Sequence, residues 1–269
     1  MKYYDPKNNQ LVFVAQQTTA DFWDRHWHHE DLKGHIESGR KIRFIPDITR
    51  RFLKPGPNTK ILEGGCGRGQ IVYALSRAGY NTFGVDYAKQ TITAIKRLFP
   101  QLQVAHGDVA HLDFPDNFFD GYWSIGVIEH YYDGYEPLLQ EAARVLKEGG
   151  YFFVTFPHLS PLRKLKIKRG AYPITTMTNI AKMQFYQFAF DVAKVAADLT
   201  NLDFAIVLRQ PFDGLKGLKD EVAMLQAPLQ SLYDGQGVAA AALRFGLSRL
   251  LAPATAHAML LVGKKHATQ

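Results

Sequence analysis

The stretch that decides the fold runs from Ile61 to Gln70 and reads Ile-Leu-Glu-Gly-Gly-Cys-Gly-Arg-Gly-Gln. It predicts the end of a buried strand, an acidic residue, a glycine-rich turn and the start of a helix. Glycines let a backbone pass close to a ligand, and a helix N-terminus offers free N–H groups. The acid Glu63, two positions before the turn, favours a ligand that carries a cationic end and a nucleoside.

Two other interpretations of this turn remain open. A dinucleotide-binding fingerprint is spaced G-x-G-x-x-G, whereas Gly65, Gly67 and Gly69 are spaced G-x-G-x-G. Glu63 would also place a negative charge beside a pyrophosphate, which counts against that ligand. The other interpretation is structural, since glycine-rich turns between a strand and a helix also occur where no ligand binds.

The strands that follow also end in polar residues. The second predicted strand ends at Asp86, 23 residues after Glu63, and in a β-α-β unit an acid at this separation binds ribose hydroxyls. The third strand is short and is followed by Asp108. The fourth covers 118–130 and ends in Ile-Glu-His, and the fifth covers 151–157 after the glycine pair 149–150.

This succession of motifs resembles the class I S-adenosylmethionine-dependent methyltransferases over residues 58–157. The Ile-Glu-His of the fourth strand and the Arg-Val-Leu-Lys-Glu-Gly-Gly before the fifth are similar to the type 11, ubiquinone-biosynthesis-like branch. Gly64 departs from the family, which more often has a larger apolar residue there. The resemblance implies an α/β fold: a Rossmann-like, seven-stranded, mostly parallel sheet with an antiparallel seventh strand and helices on both faces.

The resemblance also implies a cofactor, S-adenosyl-L-methionine, and the residues that bind it. Glu63 would lie near the sulfonium or amino-acid end, Asp86 would accept the ribose hydroxyls, and Asp108 would accept the adenine amino group. Ser124 would hold the methionine part through its backbone. The full set of implied cofactor-binding residues is Glu63, Gly65, Cys66, Gly67, Asp86, Tyr87, Asp108, Val109 and Ser124.

Methyl transfer needs a general base only if the acceptor is a hydroxyl group or a carbon acid. His130 is the candidate base because it follows the fourth strand, and Glu129 is the second candidate catalytic residue. The pair has no identifiable third partner that would complete a metal site. Four histidines between residues 26 and 35 lack the i,i+4 spacing of many metal sites. We therefore expect a polar helix face there and no metal.

Composition is consistent with a globular enzyme. With 269 residues and 46% hydrophobic content, one sizeable α/β domain is expected. A single cysteine, Cys66, excludes an intramolecular disulfide and fits a reducing compartment. The N-terminus lacks the apolar segment of a signal peptide, and Arg244 and Arg249 interrupt the most hydrophobic stretch, so no transmembrane helix is expected. These features predict a cytoplasmic protein.

The predicted organisation is a single methyltransferase domain over residues 1–269. N-terminal cap helices lie within 1–57, and the cofactor-binding core covers 58–157. Two further segments, 158–184 and 210–257, are insertions. In the family fold both follow the carboxyl end of a parallel strand, where ligands bind, so we expect them to cap the active site. A dimer interface is the alternative role for the second insertion.

Periodicity predicts the elements outside the core. Segment 158–184 is expected to be irregular. The predicted helices cover 18–30, 41–54, 185–200, 217–232 and 237–251, and the predicted sixth and seventh strands cover 204–208 and 258–262.

The net charge of +7 is unevenly distributed. Residues 149–190 contain no Asp or Glu, and six cationic residues lie among them: Arg163, Lys164, Lys166, Lys168, Arg169 and Lys182. Such a cluster suits nucleic acid, an anionic membrane surface or an anionic group of a small substrate, or it is a solvated loop. Nucleic acid is disfavoured, because the Asn/Asp-Pro-Pro-Tyr type motif of several base-modifying relatives is absent after the fourth strand.

Three classes of function stay under consideration. The preferred one is an enzyme that moves a methyl group from S-adenosylmethionine to a small-molecule hydroxyl, carbon or amine in a capped pocket. One alternative is an RNA or lipid methyltransferase that uses the basic segment 163–169. The other is a non-catalytic regulatory protein with the same fold, against which the intact acids and glycines count. A homodimer is compatible with each class.

Overall fold

The structure is a computed structural model that describes residues 1–15, 17–27 and 31–267. The chain divides into two compact units. The core unit comprises Gln17–Val154, Asp198–Val207 and Val262–Gln269, and the accessory unit comprises Met1–Gln16, Thr155–Ala197 and Leu208–Leu261.

Strands and helices alternate through the middle of the chain. The strands are β1 (Lys2–Asp5), β2 (Gln10–Val14), β3 (Gly56–Gly64), β4 (Tyr80–Asp86), β5 (Gln103–His106), β6 (Phe119–Ile125), β7 (Leu146–Pro157), β8 (Phe185–Ala189), β9 (Phe204–Phe212) and β10 (Ala258–Lys265). The α-helices are α1 (Ala20–Trp27), α2 (Leu32–Ser38), α3 (Phe44–Arg50), α4 (Gln70–Arg77), α5 (Lys89–Leu98), α6 (Glu136–Val145), α7 (Pro161–Lys168), α8 (Val192–Thr200), α9 (Gly214–Glu221), α10 (Ala223–Asp234) and α11 (Val238–Thr255). The alternation from β3 to β7 is typical of a parallel α/β sheet.

Seven strands form one mixed sheet in the order β5-β4-β3-β6-β7-β10-β9. The pairs β3–β4, β3–β6 and β4–β5 are parallel, and antiparallel pairing occurs towards the end of the sheet that contains β10. This confirms the predicted Rossmann-like sheet. Strand order reverses at β3, which has β4 on one side and β6 on the other. The carboxyl ends of strands at such a reversal open a crevice, which is where ligands bind in α/β sheets.

Burial along the central strands explains why these residues form the middle of the sheet. Ile61 of β3 and Trp123 of β6 are fully buried, as expected for strands that are covered on both faces. The Trp123 ring stacks on Phe153 at 4.5 Å, and its indole N–H donates to the Thr49 hydroxyl at 3.0 Å. Because the buried N–H has a partner, this large side chain is buried without the penalty of an unsatisfied donor.

The N-terminal helices of the core unit are shorter than predicted. The helix predicted at 18–30 is α1, and residues 28–30 lie outside the described part of the chain. The helix predicted at 41–54 is α3, preceded by a 3-10 turn at Gly39–Lys41. Helix α2 was not predicted, although Asp31 caps it by accepting a backbone N–H at 2.8 Å. Its length of seven residues is too short for a clear helical period.

The accessory unit contains a three-stranded antiparallel sheet in the order β1-β2-β8. This corrects the helix predicted at 185–200, because residues 185–189 form strand β8 and the helix begins only at Val192. Val12 of β2 pairs with Phe188 of β8. A short apolar run is compatible with a strand or a helix, and here the pairing with β2 decides between them.

The segment 158–184, predicted to be irregular, contains helix α7. Ser160 caps this helix, because its hydroxyl accepts the backbone N–H of Arg163, and Pro161 occupies the first helical turn. The rest of the segment includes two 3-10 turns, Met177–Asn179 and Lys182–Gln184. The Ser-Pro pair is a helix-start signal that was present in the sequence.

The insertion at 210–257 is helical, as predicted, but it forms three helices where the periodicity predicted two. Helix α9 ends at Glu221 and α10 begins at Ala223, and Val222 between them is extended, with φ −119° and ψ 98°. The described residues contain no helix that is both long and apolar enough to cross a lipid bilayer.

Candidate functional site

A cavity of about 240 Å³ in the core unit is lined by residues at the carboxyl ends of β3, β4 and β6. Eight of the nine residues implied for cofactor binding line it: Glu63, Gly65, Cys66, Gly67, Asp86, Tyr87, Asp108 and Val109. His130 lines it as well. This volume lies just below the roughly 300–1,000 Å³ that is usual for small-molecule pockets.

The turn after β3 is built from glycines in the left-handed conformation. Gly65 has a φ of +76° and Gly67 a φ of +47°, values that residues with a side chain rarely adopt. A Cβ on Gly65 would lie 2.5 Å from Val127 Cγ2, so no side chain fits there. The N–H groups of Gly65 and Cys66 both donate to the Val85 carbonyl, at 2.8 and 3.1 Å. The result is a rigid, bare backbone that a ligand can approach closely.

Gly64, which departs from the family pattern, is explained by its neighbour on β6. The Tyr122 ring occupies the space of the missing side chain, with its Cε2 2.7 Å from the position of a Cβ on Gly64. Tyr122 is itself buried. Gly64 does not line the cavity. Its small size makes room for the Tyr122 ring of the neighbouring strand.

Asp86 ends β4 and is fixed by two backbone N–H groups. Its Oδ2 accepts from Gly67 and its Oδ1 accepts from Ala88, both at 2.8 Å. Each carboxylate oxygen has a second lone pair, so the same carboxyl is able to hold the glycine turn and accept from a ligand hydroxyl. Burial raises the pKa of Asp86 above its ordinary value, and the two N–H bonds oppose this rise.

Glu63 is buried near Asp86 and is tied to helix α4. Its Oε2 accepts the backbone N–H of Val72 at 3.0 Å. Burial raises the pKa of Glu63 well above its usual range, and the negative charge of Asp86 adds to the rise. Two buried carboxyls in one cavity favour a cationic ligand, whose charge balances theirs.

Helix α1 contributes aromatic side chains to the cavity lining. Trp23 and Trp27 stack at 5.2 Å with an interplanar angle of 18°, and Trp23 meets His130 edge-on at 5.1 Å. Asp24 anchors the helix, because one of its oxygens accepts both the N–H and the hydroxyl of Thr91 at 3.0 Å. The sequence predicted this helix but not which of its apolar residues line the cavity.

Several other lining residues were missed by the sequence analysis. The prediction placed Ser124 at the end of β6, but Ser124 is buried and does not line the cavity. The lining is made by the next three residues, Ile125 to Val127, and Gly126 among them has a φ of +65°. In the sequence, Gly126 was the residue that could have indicated where the strand ends and the cavity-lining loop begins. Arg68, inside the glycine turn, also lines the cavity.

The Ile-Glu-His sequence forms a 3-10 turn whose two candidate catalytic residues have different environments. His130 lines the cavity, but Glu129 is not part of the lining. Glu129 Oε1 lies 3.5 Å from the position of a Cβ on Gly126, and its Oε2 has no hydrogen-bond partner among the described residues. Burial raises the pKa of Glu129 to about 8. Glu129 does not line the cavity, so its direct catalytic role stays a prediction.

The arrangement of possible metal ligands is seen only in the part of the chain that the structure describes. No group of three or more His, Cys, Asp or Glu residues there is arranged to hold a metal ion. Of the four histidines between residues 26 and 35, His28 and His29 lie outside the described residues.

Three of the six cations in the basic stretch of the accessory unit are paired with acids. Arg163 is completely buried, and its Nε donates to Glu221 at 2.9 Å. Lys166 Nζ lies 2.9 Å from the other oxygen of Glu221, and Lys164 Nζ lies 3.0 Å from Asp191. Both acids come from outside the acid-free stretch. This corrects the expectation that these three cations are available to an anionic partner.

Comparison with known proteins identifies the domain that contains the cavity. Residues 62–154 match the family described as Methyltransferase domain. A protein of Mycolicibacterium smegmatis named as a probable S-adenosylmethionine-dependent methyltransferase is 33% identical over 127 residues, which is 47% of this chain and 49% of that protein. A demethylmenaquinone methyltransferase of Bacillus licheniformis is 27% identical over 146 residues, 52% of this chain and 62% of that protein.

Solved structures support the same fold. A SAM-dependent methyltransferase from Methanosarcina mazei superposes with a TM-score of 0.57 at 18% identity, covering 82% of this chain and 98% of that one. The matches to the two curated relatives span 49% and 62% of their lengths. The matched region contains the glycine turn and the strand-end acids that line the cavity. Residues 62–154 therefore form a class I S-adenosylmethionine-dependent methyltransferase domain.

Proposed function

We propose that the protein transfers the methyl group of S-adenosylmethionine to an apolar small molecule. The observation that carries this proposal is the cavity lining, which combines three strand-end acids, a bare glycine turn and the aromatic residues Trp23, Trp27 and Tyr131. The acids suit a cofactor with a cationic end and several hydroxyls, and aromatic linings suit apolar ligands. The relative from Bacillus licheniformis is named for demethylmenaquinone, and we propose a similarly apolar, planar acceptor.

The residues of the cavity fit S-adenosylmethionine. Asp86 would accept the ribose hydroxyls through the lone pairs that its two backbone partners leave unused. Asp108 accepts the Ala110 N–H at 2.9 Å through Oδ1, and its side chain is 56% exposed, which leaves its carboxyl accessible to the adenine amino group. Val109 is buried and apolar, so it suits the face or edge of the ring. Glu63 would balance the positive charge of the sulfonium or ammonium group.

The chemistry asks little of the protein beyond alignment. When bound, the cofactor supplies a methyl group on a sulfonium, which is already activated towards a nucleophile. Such a displacement is accelerated by holding the acceptor in line and by excluding water. The aromatic residues of the lining exclude water. The pKa values of Glu63 and Asp86 are raised because their carboxyls are buried.

We propose that His130 is the general base if the acceptor is a hydroxyl group or a carbon acid. Its support is that it lines the cavity while its ring rests against Trp23. His130→Ala is expected to lower turnover about 10²-fold or more and to leave cofactor affinity unchanged. His266→Ala is the matched control, because His266 is exposed and does not line the cavity. Normal turnover in His130→Ala would leave alignment as the only catalytic device.

The two alternative functions are weaker. An RNA or lipid methyltransferase that uses segment 163–169 has less support, because three of the five cations of this segment, Arg163, Lys164 and Lys166, are paired with acids. A non-catalytic protein would not need to keep the acids and the bare glycine turn together around one cavity.

The test is a methyl-transfer screen on the full chain. Purified protein is incubated with methyl-labelled S-adenosylmethionine and separate pools of apolar quinones and phenols, sugars, and short RNA, while binding of S-adenosylhomocysteine is followed by calorimetry. We expect label in the apolar pool. Label only in sugars or RNA would contradict the acceptor class, and cofactor binding without transfer to any pool would favour the regulatory alternative.

A further inference from the structure

The described residues that line the cavity include more Asp and Glu than Lys and Arg side chains. Glu63, Asp86 and Asp108 line it, and Arg68 is the only Lys or Arg among the described residues of the lining. Arg68 Nε is buried and has no hydrogen-bond partner among the described residues. A buried donor on a charged group is costly unless an acceptor binds it. The described residues do not supply an acceptor for the Nε–H of Arg68.

The Arg68 guanidinium, which lines the cavity, packs against Trp27. Its guanidinium carbon lies 5.1 Å from the centroid of the Trp27 ring. The same ring covers the glycine turn, since a Cβ on Gly67 would lie 3.2 Å from Trp27 Cε2. A tryptophan side chain has no hydrogen-bond acceptor atom, so this cation–π contact restrains the Arg68 side chain and leaves its N–H donors to other partners.

The chemistry of the guanidinium selects the ligand group. Its planar fork matches a carboxylate, and such pairs are stronger than neutral hydrogen bonds. The methionine part of S-adenosylmethionine carries an ammonium group and a carboxylate. The three acids of the lining suit the cationic and hydroxyl groups of the cofactor, but they repel its carboxylate. Arg68 is the group in the lining that would offset this repulsion.

We propose that Arg68 binds the α-carboxylate of S-adenosylmethionine and of its product S-adenosylhomocysteine. This inference rests on the proposed function, because it requires the cofactor to bind in this cavity. The G-x-G-x-G motif does not specify the residue at position 68, so the proposal gives Arg68 a role that the motif does not imply. It also explains why Trp27 covers the turn: the indole holds the guanidinium beside the bare backbone.

The test compares two ligands that differ in the amino-acid end. S-adenosylhomocysteine carries the carboxylate, and 5′-methylthioadenosine keeps the nucleoside and the thioether without it. Arg68→Met should weaken S-adenosylhomocysteine binding roughly ten- to hundredfold, the loss of a charged hydrogen bond, and should leave 5′-methylthioadenosine binding within about twofold. Arg68→Lys should lose less, because it keeps the charge but not the fork. Calorimetric titration measures the affinity of the wild type and of each variant for both ligands.

Arg77→Met is the matched control. Arg77 lies on α4, is exposed, and stands over the Tyr73 ring at 5.9 Å, but it does not line the cavity. It should change neither affinity. Unchanged binding of S-adenosylhomocysteine in Arg68→Met would overturn the proposal, and so would an equal loss for both ligands, which would mean that Arg68 only supports the turn. Failure of the wild-type protein to bind either ligand would instead contradict the proposed function.

Discussion

Replacing Glu129 with Gln is expected to stabilise the protein at neutral and alkaline pH and to leave its stability unchanged in acid. The Glu129 side chain is 4% exposed, and its Oε2 has no hydrogen-bond partner among the described residues. Burial raises the pKa of this carboxyl from its ordinary 4.5 to about 8. Gln keeps the shape of the protonated acid and cannot ionise, so it removes the titration with little change in packing.

The sign and size follow from proton linkage. The folded protein holds a proton on Glu129 that the unfolded chain releases near pH 4.5, so the stabilising contribution is complete below that pH and is lost as the pH rises to about 8. At about 1.4 kcal/mol per pH unit, the loss is at most about 5 kcal/mol, and about 3 kcal/mol of it has occurred by pH 7. Total stabilities of about 5–15 kcal/mol make such a loss measurable.

Urea denaturation of the wild type and Glu129→Gln between about pH 5 and pH 8 measures this difference. The free energy of unfolding of the variant, minus that of the wild type, should grow with pH. Asp113→Asn is the control, because it makes the same acid-to-amide change at an exposed position. The reasoning is refuted if the difference for Glu129→Gln does not grow with pH more than the difference for Asp113→Asn, or if Glu129→Gln is less stable than the wild type at pH 7, since a carboxylate with a good partner would behave in that way.

Asp86→Ala should weaken S-adenosylhomocysteine binding roughly ten- to hundredfold and should also lower stability, because Asp86 accepts a backbone N–H of the glycine turn; calorimetry paired with urea denaturation separates the two effects, and unchanged affinity would remove Asp86 from the ribose site. Binding of S-adenosylmethionine should release protons, because burial raises the pKa of Glu63 in the free protein and a cationic ligand favours its ionised form. Calorimetry in two buffers of different ionisation enthalpy detects this release, and Glu63→Gln should reduce it. That the insertion at 210–257 caps the active site stays a prediction; replacing residues 223–237 with a short Gly-Ser linker removes helix α10, which has no buried residue, and spares Glu221. This variant should keep cofactor affinity and lose turnover, and full turnover would exclude a cap formed by α10.

Much of the core was predictable because its signals are local. The acid, the glycines and the helix start lie within the ten residues from Ile61 to Gln70, and their spacing alone predicts a strand, a tight turn and a helix. Asp86 and Asp108 follow their strands in the same way. Parallel strands bring their carboxyl ends to one edge of a sheet, so these acids were expected to meet, and in the structure they line one cavity.

Contacts between distant parts of the chain were decided only by the tertiary structure. Residues 185–189 became a strand because β2, more than 170 positions earlier, offers backbone partners. Arg163 and Glu221 are 58 positions apart and meet in a buried ion pair, so a run of charge along the sequence does not form a patch in space. Periodicity and turn chemistry act over a few residues, whereas the identity of a partner depends on which surfaces pack together. For the same reason the sequence by itself predicted the methyltransferase domain and the acids that line the cavity, and the folded chain was needed to place the Arg68 guanidinium over the Trp27 ring.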